Sequence, residues 1–495
     1  MKRRLTLCAL VLAALPGRAE EVLRVATYGL PSGLGNPHSS TSISEMYVWT
    51  AIFDSLTRVD GAARVLPALA VSWESRNELT WQFRLREGVR FSNGEPFNAA
   101  AVAATVDYIT SEAAARDSVA REFVSLKAAR VLDEYAVEFT THEPTLVLPA
   151  MLAGLRIVAP GQWQRLGPEG FARAPIGTGP FQVDSWEPAR VSLSAFRDSW
   201  RAPRVDRMEI YEILEQSARR QGIQSGRLDI ALGLMPDDVE ALERTGDTPY
   251  ISPGAGVVGM SFITVKDSPV KDKRVRQALN YAVDKDIIVD VLFKGHARPA
   301  GQPAPHYVRG YNPDLKPYPY DPQRARTLLA EAGYPDGFDM IAEVVLSGTT
   351  AAGPLYSFII EQLAAVGVRL EVRNIPIGQL ITKAVTGSFV GEGFGMEWDF
   401  KPTLDAMRAI PMHSCQRLVP WHCDPATMPL IEAAQREFDS ERRLEMLREL
   451  MRIYAEDPTM LYLYETMHFD GVNKRVRNFA PVNRLINYHE IEVAE

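Results

Sequence analysis

The chain has 495 residues, too many for a single hydrophobic core, so two or three domains are expected. Hydrophobic residues make up 46% and charged residues 23%, the balance of a water-soluble globular protein. The formal charge of −8 argues against nucleic-acid binding as the main task.

Lys2, Arg3 and Arg4 precede an apolar run from Leu5 to Leu15, and Pro16-Gly17-Arg18-Ala19 offers small residues for cleavage after Ala19. This pattern reads as a secretory signal peptide over residues 1–19, too short for a permanent membrane anchor. Cys8 lies too early to serve as a lipid-attachment cysteine. Cleavage removes four basic residues and no acidic one, which takes the formal charge from −8 to −12.

The mature chain opens with a strand at Val22–Tyr28 and a turn-rich loop running to Asn36 and Pro37. Ser44 to Leu56 has helical character. Trp81, Phe83 and Leu85 alternate with polar residues, the period of a half-buried strand. Asn93-Gly94 signals a turn, and Asn98 is placed to cap a helix over Ala99–Thr110. The stretch Val265–Ala300 reads as two capped helices. Asp272 opens the first, with Val275, Ala278, Leu279 and Ala282 on its apolar side and Lys273, Arg274 and Arg276 on a solvated one. Asp284 opens the second, with Ile287, Ile288, Val291 and Leu292 facing inward and Gly295 as the stop. Pro354–Val366 is an amphipathic helix, Val368–Val372 a strand, Leu430–Tyr454 a helical pair, and Leu461–Tyr464 a buried strand.

Enzyme signatures are missing from the sequence. There is no Gly-x4-Gly-Lys-Ser/Thr phosphate loop, no Gly-x-Ser-x-Gly elbow and no His-Glu-x-x-His pair; His142-Glu143 runs straight into Pro144. One cluster carries ligand-like chemistry: His413, Cys415, His422 and Cys423. In an oxidising compartment Cys415 and Cys423 pair as a disulfide; a secreted metal-binding enzyme built on the four residues is the alternative.

Several blocks carry a family resemblance. These are Pro67-Ala-Leu-Ala-x-Ser-Trp-Glu74, Leu79-Thr-Trp-x-Phe-x-Leu-Arg-x-Gly-Val-x-Phe91, and Asn93-Gly-x-Pro-Phe97. Pro175 to Phe181 followed by Ser185-Trp186-Glu187-Pro188, Arg274 to Lys285, and Asp321 to Tyr334 complete the set. In this order they resemble the extracytoplasmic solute-binding proteins of family 5, which serve ABC importers of peptides, nickel chelates and related solutes. The resemblance implies a two-lobed α/β periplasmic-binding-protein fold with a domain inserted in the first lobe. It implies residues 20–50, 175–255 and 475–495 for the first lobe, 51–174 for the insert and 256–474 for the second lobe. It further implies a monomeric periplasmic protein that captures a small solute by hinge closure and delivers it to an inner-membrane permease, with no cofactor and no covalent chemistry.

The resemblance also directs attention to two loops, Tyr28–Asn36 and Gly393–Thr403. Relatives that bind peptides hold the ligand's α-amino group with an Asp of the second loop, which here carries Met396, Glu397, Trp398, Asp399 and Phe400. Asp399 is the first choice for a cation anchor and Glu397 the second. Tyr28, Asn36 and Phe262 are further expected ligand contacts. Trp398 is either a cleft wall or a core residue. The dipeptide binders' arginine, expected before the Pro354–Val366 helix, has no counterpart in Val345–Thr350. Ordinary dipeptides thereby lose their strongest carboxylate contact.

Overall fold

The computed structural model describes residues 20–346 and 352–494. The expected signal segment, and most of the loop that lacks the arginine, lie outside these residues.

A continuous mixed sheet of eleven strands forms the spine. Its order is Val368–Asn374, Phe338–Val344, Gly393–Asp399, Thr248–Phe262, Met460–Val472, Ile230–Leu234, Val22–Thr27, Arg207–Glu212, Arg190–Ala195 and Phe181–Glu187, with Arg298–Pro299 added beside Met460–Val472. The two long strands, Thr248–Phe262 and Met460–Val472, run antiparallel and belong to both ends of the sheet. Their register shifts between Pro253 and Val257. A bulge of this kind bends and twists a sheet where it must change direction.

Each end of the spine has its own core. At one end Leu23, Val25, Trp49, Val191, Ile210 and Ile230 pack together, joined by Val476, Ile486, Tyr488 and Ile491 from the C-terminal tail. At the other, helices Lys273–Tyr281, Lys285–Phe293, Pro322–Glu331 and Ala352–Ala364 cover the sheet through Val275, Leu279, Ile288, Leu328 and Ile359. Helices Met428–Arg436 and Ser440–Glu456 add Ile431, Leu447 and Met451 to a further core with Trp398 and Phe400.

The segment between the first helix, Ile43–Ile52, and Pro175 builds a separate four-stranded antiparallel sheet. Trp81, Phe83 and Leu85 all point inward, as the alternation requires, and meet Phe139, Val102 and Val106. Asn98 accepts the backbone N–H groups of Ala100 and Ala101 and so starts helix Ala99–Ile109. Val158 and Phe171 pack in the same core as Trp49, Val191 and Ile210. Helix Pro160–Arg173 sets Phe171 on Phe53 and Trp163 against Tyr108 of helix Ala99–Ile109, and so bridges two cores.

The helix pair at Lys273–Phe293 is capped as read: Asp272 accepts from Arg274 N–H and Asp284 from Ile287 N–H. Two side-chain assignments differ. Arg276 is not on a solvated face but buried, donating to the carbonyls of Val270, Lys271 and Pro458. Ile287 and Val291 are exposed; Ile288 is buried as read, and Val289 is buried beside it. The second helix starts on Asp284 and rotates so that positions 288, 289 and 293 face the core.

Candidate functional site

Strand Gly393–Asp399 settles which of the candidate residues share a surface. Alternate side chains of a strand point to opposite faces. Glu397 and Asp399 therefore lie on one face, and Phe394, Met396 and Trp398 on the other. The strand pairs with Thr248–Phe262 so that Asp399 faces Gly256 and Glu397 faces Val258, immediately beyond the bulge. Next along, Met460–Val472 presents Tyr464, Thr466, His468 and Asp470 at the same two-residue spacing.

Two glycines let these side chains crowd together. A Cβ on Gly254 would lie 2.3 Å from Thr466 Oγ1 and 2.8 Å from His468 Nε2. One on Gly256 would lie 2.2 Å from Glu397 Oε1. Glycine in a strand often marks such a close approach. Thr466 Oγ1 also accepts from Gly256 N–H at 3.0 Å, which ties the two long strands together at the bend.

The site is electrostatically polarised. Glu397 is pushed up by burial and by the neighbouring Asp399 carboxylate, with Lys401 and Arg484 opposing. Asp399 accepts from Lys401 N–H at 3.0 Å, and its other oxygen lies 3.4 Å from Lys401 Nζ. His468 is held neutral, well below the ordinary imidazole range, by burial and by the charges of Arg484 and Lys401. Asp470 is raised to about 6 by burial, although it accepts from Gly233 N–H at 2.9 Å.

Tyr28 and Tyr47 form a second group with Arg484 of the C-terminal segment. Arg484 Nε donates to Tyr47 Oη at 2.8 Å, and Nη2 reaches both Tyr47 Oη and, at 3.4 Å, Tyr28 Oη. Burial works against the guanidinium charge, but Tyr47, Tyr28 and Asp470 more than offset it, so Arg484 stays cationic. Tyr28 is additionally covered by Arg219. Beside Asp399 and Lys401 opens a cavity of about 340 Å³, lined by Val119, Phe123, Val147, Met151 and Met407 and by the Arg408–Glu122 ion pair.

The expected ligand contacts thus divide. Glu397 and Asp399 share one face at the bend, and Tyr28 meets Arg484, whose charge reaches Glu397. Asn36 does not join them: it is buried in its own loop, where its Oδ1 accepts from His38 N–H. Met396 packs toward Phe394 and Trp421. Phe262, Trp398 and Phe400 have at most traces of surface and lie in cores. The aromatic-wall expectation for Trp398 fails for the simple reason of strand parity: it sits between Glu397 and Asp399 in sequence and on the other side of the sheet. There it stacks on His413, ring centroids 3.7 Å apart.

Cys415 and Cys423 are joined by a disulfide. Both thiolates of the alternative metal enzyme are consumed by that bond. His413 is buried and accepts from Trp421 Nε1 at 3.2 Å, and His422 Nδ1 lies 2.9 Å from Thr264 Oγ1. The cluster is a packing unit. Sequence reasoning missed Arg484, Tyr47, Thr466 and His468. Asn483-Arg484 did carry a signal, an Asn in a short polar turn after Pro481, but nothing local ties that turn to a strand over 200 residues earlier.

Known proteins resemble the chain along most of its length. The family model for bacterial extracellular solute-binding proteins, family 5 Middle, matches residues 64–399. The glutathione-binding protein GsiB of Pectobacterium atrosepticum is 30% identical over 351 residues, which span 70% of this chain and 67% of that one. Di/tripeptide-binding protein 2 of Pseudomonas aeruginosa is 26% identical over 525 residues, 97% of this chain and 96% of that one. The solved structure of HbpA2 from Haemophilus parasuis superposes with a TM-score of 0.84 at 22% identity, covering 96% of this chain and 100% of that one. With the match extending over more than half of its length, this chain belongs to the bacterial extracellular solute-binding proteins of family 5.

Proposed function

We propose that this protein is the periplasmic solute-capturing component of an ABC importer and that its solute is a peptide or peptide-like molecule with a cationic group. The supporting observation is the polarised cleft at the bend, with Glu397 and Asp399 on one side and Tyr28 on the other. The names of the relatives, which bind glutathione or di- and tripeptides, point to the same solute class.

On this reading the N-terminal segment directs export and is removed, and the protein acts as a monomer. Residues 20–50, 175–255 and 475–495 form one lobe, 256–474 the other, and 51–174 the insert. A solute that touches both lobes contacts both only when they close, so it shifts the open–closed equilibrium by its differential affinity. Asp399 and Glu397 hold the cationic end. The adjoining cavity takes an apolar side chain, since most of its walls are apolar. The closed form is then handed to an inner-membrane permease. No covalent step is involved.

A thermal-shift screen over tripeptides, opines and metal chelates tests the reading. A bound solute at about 100 times its dissociation constant stabilises by roughly 2.7 kcal/mol. Stabilisation by chelates and not by any peptide would replace the peptide assignment.

A further inference from the structure

The residues from Val482 to Leu485 form a tight two-residue turn. Val482 N–H donates to Leu485 C=O at 3.0 Å and Leu485 N–H returns to Val482 C=O at 2.9 Å. Its two central residues, Asn483 and Arg484, have φ of 51° and 66°. Positive φ at both centres is the type I′ arrangement, which favours Asn first and Gly second. Asn483 suits its place, and its side chain fastens the turn by donating to Val59 C=O at 2.9 Å. Arg484 occupies the position where Gly is the comfortable residue. A side chain held in that conformation costs free energy and persists where the surroundings over-determine it.

What the turn achieves is the placement of a guanidinium. Among the described residues Arg484 forms no ion pair with a carboxylate, and its Nη1 makes no hydrogen bond. Its other nitrogens are held by phenols, neutral groups that orient the fork without neutralising it. The charge lies within electrostatic reach of Glu397, His468 and Asp470, the side chains of the bend. A cation fixed by neutral partners, near the side chains of the bend, and presented from a strained backbone is a site for an anion. The anion is a carboxylate rather than a phosphate, because Glu397, Asp399 and Asp470 already supply negative charge nearby.

We propose that Arg484 holds the carboxylate of the captured solute, with Tyr47 and Tyr28 orienting its guanidinium, so that the solute spans from this tail residue to Glu397 and Asp399 of the second lobe. The ligand class is a zwitterionic molecule with a free carboxyl terminus. The proposal rests on the peptide reading above and supplies an anion anchor that the Val345–Thr350 segment lacks.

The test incubates the protein with an equimolar tripeptide library in two forms, free acids and C-terminal amides, and quantifies retained peptides by mass spectrometry. Wild type retains acids over amides by at least about tenfold, as expected for a hydrogen bond to a charged group. Arg484→Gln abolishes the preference by losing acids, while amides bind as before; Arg484→Lys keeps part of it. Amide retention also reports that the variant is folded. Equal retention of acids and amides by wild type overturns the proposal and leaves the peptide reading standing. An unchanged acid preference in Arg484→Gln overturns it as well. No peptide retained by wild type in either form overturns both.

Discussion

Trp398 stacks on His413 with ring planes 23° apart, and Trp421 donates to the same imidazole from its edge. Three aromatic rings are thereby locked beneath the Cys415–Cys423 loop, on the side of the sheet away from Glu397 and Asp399. Trp398→Ala is expected to destabilise the fold by about 3–5 kcal/mol, the range for emptying a large core site. Urea unfolding measures this. A variant as stable as the wild type would show that Trp398 is not a core residue.

The disulfide that covers this core closes a short loop, its cysteines eight residues apart. Cys415→Ser with Cys423→Ser should lower stability by about 2–3 kcal/mol, the cost of releasing a small loop in the unfolded chain. Unfolding curves of oxidised wild type and the double variant give the difference. Because the loop lies away from the cleft, the peptide affinity of the folded variant should stay within about twofold of the wild type's; both changes are read against the general additivity of distant sites.

Asp405 and Arg443 form a buried bidentate pair, with side chains 5% and 3% exposed and oxygen–nitrogen contacts of 2.5 and 2.8 Å. Removing one partner strands the other charge in the interior. Arg443→Met is expected to cost about 3–5 kcal/mol, while Arg443→Met combined with Asp405→Leu should recover much of it. A double-mutant cycle in urea reads out the coupling. A double variant no more stable than the single one would contradict the pairing.

His38 is enclosed by Tyr108 and Trp163, and among the described residues neither ring nitrogen has a hydrogen-bond partner. Burial, aided by the Arg156 charge, lowers its pKa from 6.5 to about 3. The unfolded chain therefore binds a proton between pH 6.5 and 3 that the folded one refuses. Stability from this group is complete above pH 6.5 and is lost as pH falls toward 3. At pH 4 the loss amounts to roughly 3 kcal/mol at about 1.4 kcal/mol per pH unit. His38→Phe should flatten the acid limb of a stability–pH profile by that order. An unchanged acid limb would mean that the imidazole is already charged in the fold.

How much of this was legible in advance follows from how local each signal is. The caps at Asn98, Asp272 and Asp284 are set by a side chain and the next few N–H groups, and they form as read. The inward trio Trp81, Phe83 and Leu85 needs only strand parity. Glu397 and Asp399 could have been separated from Trp398 on the same parity argument once Gly393–Asp399 was recognised as a strand; reading that stretch as a loop hid it. Arg276 looked solvated because a basic residue on a helix usually is, yet it satisfies three carbonyls, one of them Pro458 C=O. Arg484 was beyond reach: its role depends on contacts with Tyr47, 437 positions away.

Cation recognition has its own test. Asp399→Asn keeps the shape of the carboxylate and its acceptor oxygen but removes the charge. Peptide affinity should fall by about ten- to a hundredfold, the range for a charge-assisted hydrogen bond. N-acetylated peptides, which lack the ammonium group, should bind wild type and variant alike. Calorimetry on the four combinations measures both. Equal binding of free and acetylated peptides by the wild type would remove Asp399 from the site.

On the proposed function, a solute bridging the two lobes closes them. Small-angle X-ray scattering of the protein alone, and then with a saturating tripeptide whose binding calorimetry has established, tests it most directly. The radius of gyration should be smaller in the complex, and Asp399→Asn should reverse the change at the same peptide concentration. A bound tripeptide that leaves the scattering curve unchanged would contradict it.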